Sequence, residues 1–266
     1  MTGEIIHAGP ADLDILSQVI ADAFHPLAPS RWLVGDPAER RRIFPGYFRL
    51  YVEHALAVGV VHTIADRSAV ALWLPAGDGA AQPAGYAERL ADMTSPWTSR
   101  FTAFDAALEA RHPVGPAHEH LALLAVRPGR QGQGTGTALL AARHQALDRD
   151  GVPAYLEASD LRTRRIYLRH GYVDHGPPVE LPDGPVLCPM WRKASAQAAP
   201  GQPDEAQAGD AATSPAPAGI TSARLSRDDA LVSWQLAGCR AGSLICRLPI
   251  RRGVLPAWRP GTAAAD

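Results

Sequence analysis

The chain has 266 residues, is 46% hydrophobic and 20% charged, and carries a formal net charge of −1 at pH 7. That balance gives no electrostatic reason to expect nucleic acid or an anionic membrane as partner, and no stretch approaches the roughly 18 apolar residues of a membrane helix. The opening MTGEIIHAGPADLD carries acids where a signal peptide needs bases, and Cys188, Cys239 and Cys246 form no CxxC pair, so a soluble cytoplasmic protein without a disulfide frame or zinc knuckle is expected.

From the N-terminus, EIIHA (4–8) reads as a strand and residues 10–24 as a helix, with Leu13, Leu16, Ile20 and Phe24 on one face and a cap at or just before Asp12. Residues 36–57 form a second helical region that Pro45 should kink or divide. GVVHTIADRSAVALWLP (59–75) predicts two strands around a tight Asp66–Arg67 turn, and weaker helices follow at 83–93 and 96–112. HEHLALLAV (118–126) is a strand, 134–149 a helix, VPAYLEAS (152–159) a strand and 162–170 a short helix. Two closing strands are expected near 172–181 and 185–192. The alternation predicts a mixed α/β domain over residues 1–193, without internal repeats.

Composition then changes. Residues 194–219 hold ten Ala, four Pro and three Gly and no aromatic, Leu, Ile, Val or Met, so they cannot bury enough apolar surface to offset their ordering entropy. They read as a disordered linker. Residues 220–266 regain some apolar content but stay rich in Arg, Gly and Pro, and are expected to be a mostly unstructured tail.

The most informative stretch is LLAVRPGRQGQGTGTALL (123–140), a knot of glycines between a strand and a helix. Three readings fit to different degrees. A P-loop has its spacing between Gly129 and Gly134, but Thr135 stands where the lysine must be. A dinucleotide fingerprint is served by Gly132 and Gly134, with Glu157 at a plausible distance for a ribose contact, yet Thr137 replaces the third small residue. The third reading takes Gln131-Gly132-Gln133-Gly134-Thr135-Gly136 as Q/R-x-x-G-x-G/A, preceded by a strand ending in Ala-Val and followed by an Ala/Leu helix. The free amides of a helix's first turn form an anion site, and glycines let them face a diphosphate unobstructed.

This third pattern resembles the acetyl-CoA-binding signature of the GCN5-related N-acetyltransferases. LEASDLRTRRIYLRHGYVDHG (156–176) resembles that family's later motif, with Tyr167 ahead of the Gly171–Tyr172 pair, and PDGPVLCPMWRK resembles its closing strand. AVALW (69–73), GVPAYLEAS (151–159) and YLRHGY (167–172) are similar to phrases of the puromycin N-acetyltransferase-like branch. The resemblance covers roughly residues 4–193. It implies a mixed central sheet of six or seven strands with flanking helices, acetyl-CoA as co-substrate, and transfer of the acetyl group to the primary amine of a small molecule. Monomer and homodimer are both compatible with it.

The resemblance assigns cofactor binding to Leu124, Ala125 and Val126, whose amides would meet the oxyanion where two strands splay, and to Arg130, Gln131, Gly132, Gln133, Gly134, Thr135, Gly136 and Thr137 around the pyrophosphate. Thr163 stands where the family often has an Asn and is a possible contact of the cofactor arm. Tyr167 is the candidate acid for the departing thiolate, since a phenol with a reference pKa near 10 stays protonated at neutral pH. His120 is the candidate base: the histone-acetylating branch has its basic Glu at a matching point of the strand, and an imidazole suits neutral pH. Glu119 should point to the opposite face, and Glu157 is the other contender. His118 and His120 have metal-ligand spacing, but no carboxylate or Cys pattern completes a set, so no metal is expected. Phe24, His25, Trp32, Tyr47, Tyr51 and His54 are candidates for an acceptor pocket, with core packing as the competing reading. An acyl-CoA-binding module without turnover and a dinucleotide-binding oxidoreductase are the alternatives.

Overall fold

A computed structural model describes residues 3–77 and 83–195. The linker and tail expected over 194–266 fall, apart from Ala194 and Ser195, outside the described residues. Strand β1 (Ile5–His7) leads through a 3-10 turn (Pro10–Asp12) into α1 (Leu13–Phe24), α2 (Ala28–Leu33) and α3 (Pro37–Val58). Strands β2 (Val60–Ile64) and β3 (Ala69–Ala76) follow, then α4 (Tyr86–Thr94), α5 (Thr98–Glu109) and β4 (His118–Val126). The second half runs α6 (Thr135–Asp150), β5 (Ala154–Ala158), α7 (Leu161–Arg169), β6 (Val173–Asp174), β7 (Val179–Glu180) and β8 (Val186–Arg192).

The strands lie in the order β1-β2-β3-β4-β5-β8-β6, with β7 also paired to β8. Every neighbouring pair is antiparallel except β4 and β5, which run parallel with α6 as their crossover. The continuous path has seven strands, within the expected six or seven, and β7 adds an eighth off that path. The stretch 172–181, expected as one strand, is broken after Asp174 by His175-Gly176-Pro177-Pro178; prolines cannot donate to a ladder, so pairing resumes only at Val179.

β3 lies inside this sheet, between β2 and β4, and nearly every residue in it is buried, as a strand covered on both faces requires. One face carries α1, α3, α4 and α5 over a core that includes Phe24, Phe44, Tyr47, Phe48, Phe101 and Phe104. The other carries α6 and α7 over Trp73, Leu121, Leu124, Leu139, Tyr167 and Tyr172. Truncating one such aromatic costs about 3–5 kcal/mol.

Three local expectations change. α3 runs unbroken through Pro45, its start fixed by Pro37 at the first position and by Asp36, whose Oδ1 accepts from Ala38 N at 2.6 Å and Glu39 N at 3.0 Å. Asp12 does not cap α1 with its side chain; it accepts from Gly9 N at 3.0 Å and from Arg67 Nε at 2.9 Å, tying the preceding turn to the β2–β3 hairpin. α2 was not visible in the sequence. The buried Arg40 guanidinium donates to Val34 O at 2.6 Å and Gly35 O at 2.9 Å just past its end.

Antiparallel neighbours need only a two-residue turn, yet β3 and β4 are separated by residues 77–117, which hold α4 and α5. α4 packs on α3 and α5 on α2, and the segment returns to β4 through His112.

Candidate active site

The site starts with one short ladder. β4 and β5 are paired at Glu119↔Ala154 and His120↔Tyr155, and the pairing stops there although β4 continues to Val126 and β5 to Ala158. Beyond His120 the two parallel strands part. On its other edge β4 stays bonded to β3, with Ala71↔Leu124, Val70↔Ala125 and Ala69↔Val126 in register. Alternate amides between Leu121 and Val126 therefore point into the opening rather than to a partner strand. A bulge interrupts β4: Leu72 opposes Leu123 and Trp73 opposes Leu121, so Ala122 is the extra residue. Ala122 and Leu123 consequently face the same core while Leu121 and Leu124 face the other, and the upper half of β4 is re-aimed.

The glycine knot joins the open end of β4 to α6. Residues 127–134 are exposed apart from Gln131, which is half-buried and donates from Nε2 to Val126 O at 3.1 Å. Gly134 precedes the helix at φ 80, and α6 has no side-chain cap. A Cβ added at Gly134 would meet no heavy atom within 4 Å, so packing does not demand the glycine; its left-handed backbone and unobstructed approach from outside do. The first intrahelical bond runs from Ala138 N to Gly134 O at 2.9 Å, leaving the amides of Thr135, Gly136 and Thr137 as first-turn donors at the positive end of the helix dipole. Thr135 and Gly136 are buried and Gln133 and Thr137 exposed. These residues fit a diphosphate. Arg130 does not stand free beside them: its NH2 lies 2.7 Å from Asp66 Oδ2 in the β2–β3 turn, an exposed pair worth little and easily exchanged for phosphate.

Across the opening, α7 carries Tyr167. Its side chain is fully buried and packs edge-on to Tyr172, ring centroids 5.7 Å apart. α7 begins with a capping box in which Thr163 N donates to Asp160 Oδ1 at 2.7 Å and Asp160 N donates to Thr163 Oγ1 at 3.2 Å. The Thr163 hydroxyl also donates to Asp160 O at 3.0 Å and is buried. It is committed to starting the helix, which departs from the expected role as a cofactor contact.

His120 sits at the vertex where the strands part. It is fully buried, and its Nε2 lies 3.5 Å from Oε2 of Glu157, equally buried on β5. Burial pushes the imidazole well below its ordinary value, helped by His112 and His118, and pushes the Glu157 carboxyl well up. Both groups are held neutral. This corrects the expectation of an imidazole tuned to neutral pH. Glu119, as expected, faces the other way, where Arg143 of α6 donates to it from both Nε, at 3.1 Å, and NH2.

His118, which has metal-ligand spacing with His120 in the sequence, is not the histidine grouped with it around a carboxylate. His112, His120 and Glu157 each bring a ligand-type atom within 4.8 Å of the others. His112 was missed by sequence reasoning because 40-odd residues of inserted chain deliver it; the available signal was three histidines within RHPVGPAHEH. Tyr155 closes the group, its ring 4.9 Å from that of His112 and 5.5 Å from that of His120.

The expected acceptor-pocket residues scatter. Phe24, Tyr47 and Tyr51 are core residues, each no more than 2% exposed. His25 contacts Pro37 O at 3.1 Å, and Trp32 donates to Pro182 O at 2.9 Å, pinning α2 to the β7–β8 turn. His54 lines a cavity of about 300 Å³ with Glu53, Ala57 and Arg89, between α3 and the start of α4. Tyr51 donates to Tyr86, and Tyr86 to Asp105 Oδ2 at 2.9 Å, a chain that the sequence did not indicate.

Residues 102–193 match the family model described as acetyltransferase (GNAT) domain. The match opens inside α5 and contains the whole of the parted-strand site. The fold is similar to that of the histone acetyltransferase HPA2 and related acetyltransferase from Corynebacterium glutamicum, at 23% identity and a TM-score of 0.55, covering 75% of this chain and all of that one. It is also similar to arylalkylamine N-acetyltransferase 2 from Aedes aegypti, at 12% identity and a TM-score of 0.53, covering 72% of this chain and 99% of that one. Among the described residues no helix is long and apolar enough to cross a membrane.

Proposed function

We propose that the chain is an N-acetyltransferase that moves an acetyl group from acetyl-CoA to the primary amine of a small molecule by direct attack on the thioester. The observation that carries this reading is the loss of β4–β5 pairing after His120↔Tyr155, beside an uncapped α6 whose first-turn amides face the same opening.

In this reading the amides of Gly132 to Thr137, with Arg130 swung from Asp66, hold the diphosphate, and Gln131 braces the loop against Val126. Acetyl-CoA supplies an activated thioester. Amides of Leu124 to Val126 on the unpaired edge of β4 donate to the developing oxyanion. Tyr167 gives its proton to the departing thiolate.

The state of His120 narrows the base question. An imidazole kept neutral by burial is too weak to take a proton from an ordinary ammonium, so the amine must arrive neutral. After attack the nitrogen is strongly acidic, and a weak base within reach then suffices. His120 accepts that proton, with the Glu157 carboxyl 3.5 Å from its Nε2.

A small-molecule acceptor is favoured by the sequence phrases shared with puromycin N-acetyltransferase-like enzymes and by the fold likeness to an arylalkylamine N-acetyltransferase. Incubating the full chain with acetyl-CoA and a panel of arylalkylamines, polyamines, aminonucleosides and peptides, and following released thiol, tests the reading. Turnover with a small primary amine supports it. Acetyl-CoA binding without thiol release across the panel would favour a binding module instead.

A further inference from the structure

The histidine chain at the vertex of the cleft fixes where protons sit, and one lone pair is left over. His118 Nδ1 is 3.0 Å from Pro116 O, and a carbonyl only accepts, so that nitrogen carries the hydrogen. A His118 ring with that one hydrogen on Nδ1 presents Nε2 as a bare acceptor. His112 Nε2 lies 3.3 Å from it and must therefore be the N–H donor. In the neutral ring that is the one hydrogen His112 has. Its Nδ1 is then a bare lone pair in the interior, and among the described residues that atom has no hydrogen-bond partner.

The same region holds His120, neither of whose ring nitrogens has a hydrogen-bond partner among the described residues, and the Glu157 carboxyl. Two imidazoles and a carboxylate, from the chain after α5, from β4 and from β5, thus converge to within 4.8 Å. A lone pair left without a donor in a buried place is destabilising. One ligand satisfies both rings at once and lies within reach of the Glu157 carboxylate.

We propose that His112 Nδ1, His120 and Glu157 form a binding site for a divalent first-row transition ion of the zinc type. Two nitrogens and one oxygen suit such an ion, which takes them at about 2.0–2.2 Å and keeps a fourth position for water or substrate. Closing from 4.8 Å to that geometry requires an inward shift, which His112 can supply because it lies between α5 and β4 in irregular chain. The support behind the ligand is already built: the other ring N–H of His112 is held by His118, whose own N–H is held by a backbone carbonyl. His112 is also the half-exposed member, so the ion enters on its side. Binding displaces the Glu157 proton to solvent, and the ion replaces it as the carboxylate's partner.

The consequence for turnover rests on the role proposed for His120. An ion on that ring takes the lone pair that must accept the amine proton, so the site is inhibitory.

The test is a titration of the tag-free, metal-stripped full chain with Zn²⁺ against a chromogenic chelator, and with Co²⁺ followed by visible absorption. One equivalent of Zn²⁺ bound at micromolar concentration or tighter, with a tetrahedral-type Co²⁺ spectrum, is expected. His112→Gln and Glu157→Gln should each weaken it at least tenfold, with far-UV circular dichroism checking that both fold. If the wild type binds no equivalent, or if binding is equal in a folded His112→Gln variant, the site is wrong and any metal sits elsewhere, for instance on the cysteines. Zinc inhibition relieved by chelator and reduced in His112→Gln supports the inhibitory role; stoichiometric binding without inhibition overturns that role and leaves the site standing.

Discussion

His120 stands on the last paired rung of two parallel strands and Glu157 two residues past that rung on β5, with Nε2 and Oε2 3.5 Å apart, and neither side chain touches solvent. Burial drives the two in opposite directions, the imidazole down and the carboxyl up, so the pair is neutral rather than ionic. With a base of that kind the pH dependence must come from the acceptor. kcat/KM should rise about tenfold per pH unit until the pKa of the amine itself, with no inflection near the ordinary histidine value of 6.5. A rate profile from pH 5.5 to 10 with two amines of different basicity checks this; an inflection near 6.5 shared by both amines contradicts it.

Tyr167 is proposed to protonate the thiolate. Tyr167→Phe removes one oxygen from a buried ring packed on Tyr172. kcat should fall by about 10²-fold or more while KM for acetyl-CoA changes little, because the loss falls on the transition state. Steady-state kinetics with a folded variant decides it, and undiminished kcat would remove the tyrosine from the mechanism.

Thr163 behaves as a helix cap, its hydroxyl donating to Asp160 O and receiving from Asp160 N. Thr163→Ala should therefore cost about 1 kcal/mol of stability, as loss of a cap does, and leave acetyl-CoA affinity within about twofold. Thermal melting and calorimetric binding measured on one preparation separate the two effects. An affinity loss without a stability loss would restore the contact role.

The strand, glycine knot and helix of the site were legible because each is local: β4 and α6 follow hydrophobic period, and the loop between them has a composition few other tasks require. Tyr167 was legible for the same reason, seven residues into a short capped helix. What was hidden depends on distant chain. No periodicity in 111–120 says that a two-helix insertion returns His112 to within reach of Glu157, more than forty residues on. Burial was also hidden, and it reverses the expected tuning of His120. Tyr47 and Tyr51 look alike as pocket or core until α4 and α5 are laid over them.

Asp105 offers a stability test on that insertion. Its carboxyl is raised from 3.8 to about 7, chiefly by burial, while Tyr86 donates to it. The folded chain keeps a proton that the unfolded chain releases, so this group's contribution declines as pH rises from about 4 to about 7, by at most about 1.4 kcal/mol per unit. His62 and His112, lowered from 6.5 to about 4, run the opposite way: their contribution is lost as pH falls from 6.5 to 4. The difference between wild type and Asp105→Asn isolates the carboxyl. The variant should gain stability relative to wild type on going from pH 4 to pH 7 in denaturant melts, and a constant difference would contradict the raised value.

The central claim is that bare amides at the start of α6 hold the diphosphate of acetyl-CoA. Gln133 is exposed in that loop, so Gln133→Glu adds a negative charge there without disturbing the core. Isothermal titration of the full chain with acetyl-CoA should show saturable one-to-one binding, weakened about tenfold or more in Gln133→Glu with melting temperature unchanged. Equal affinity in both proteins, or binding of NADPH in place of acetyl-CoA, would contradict it.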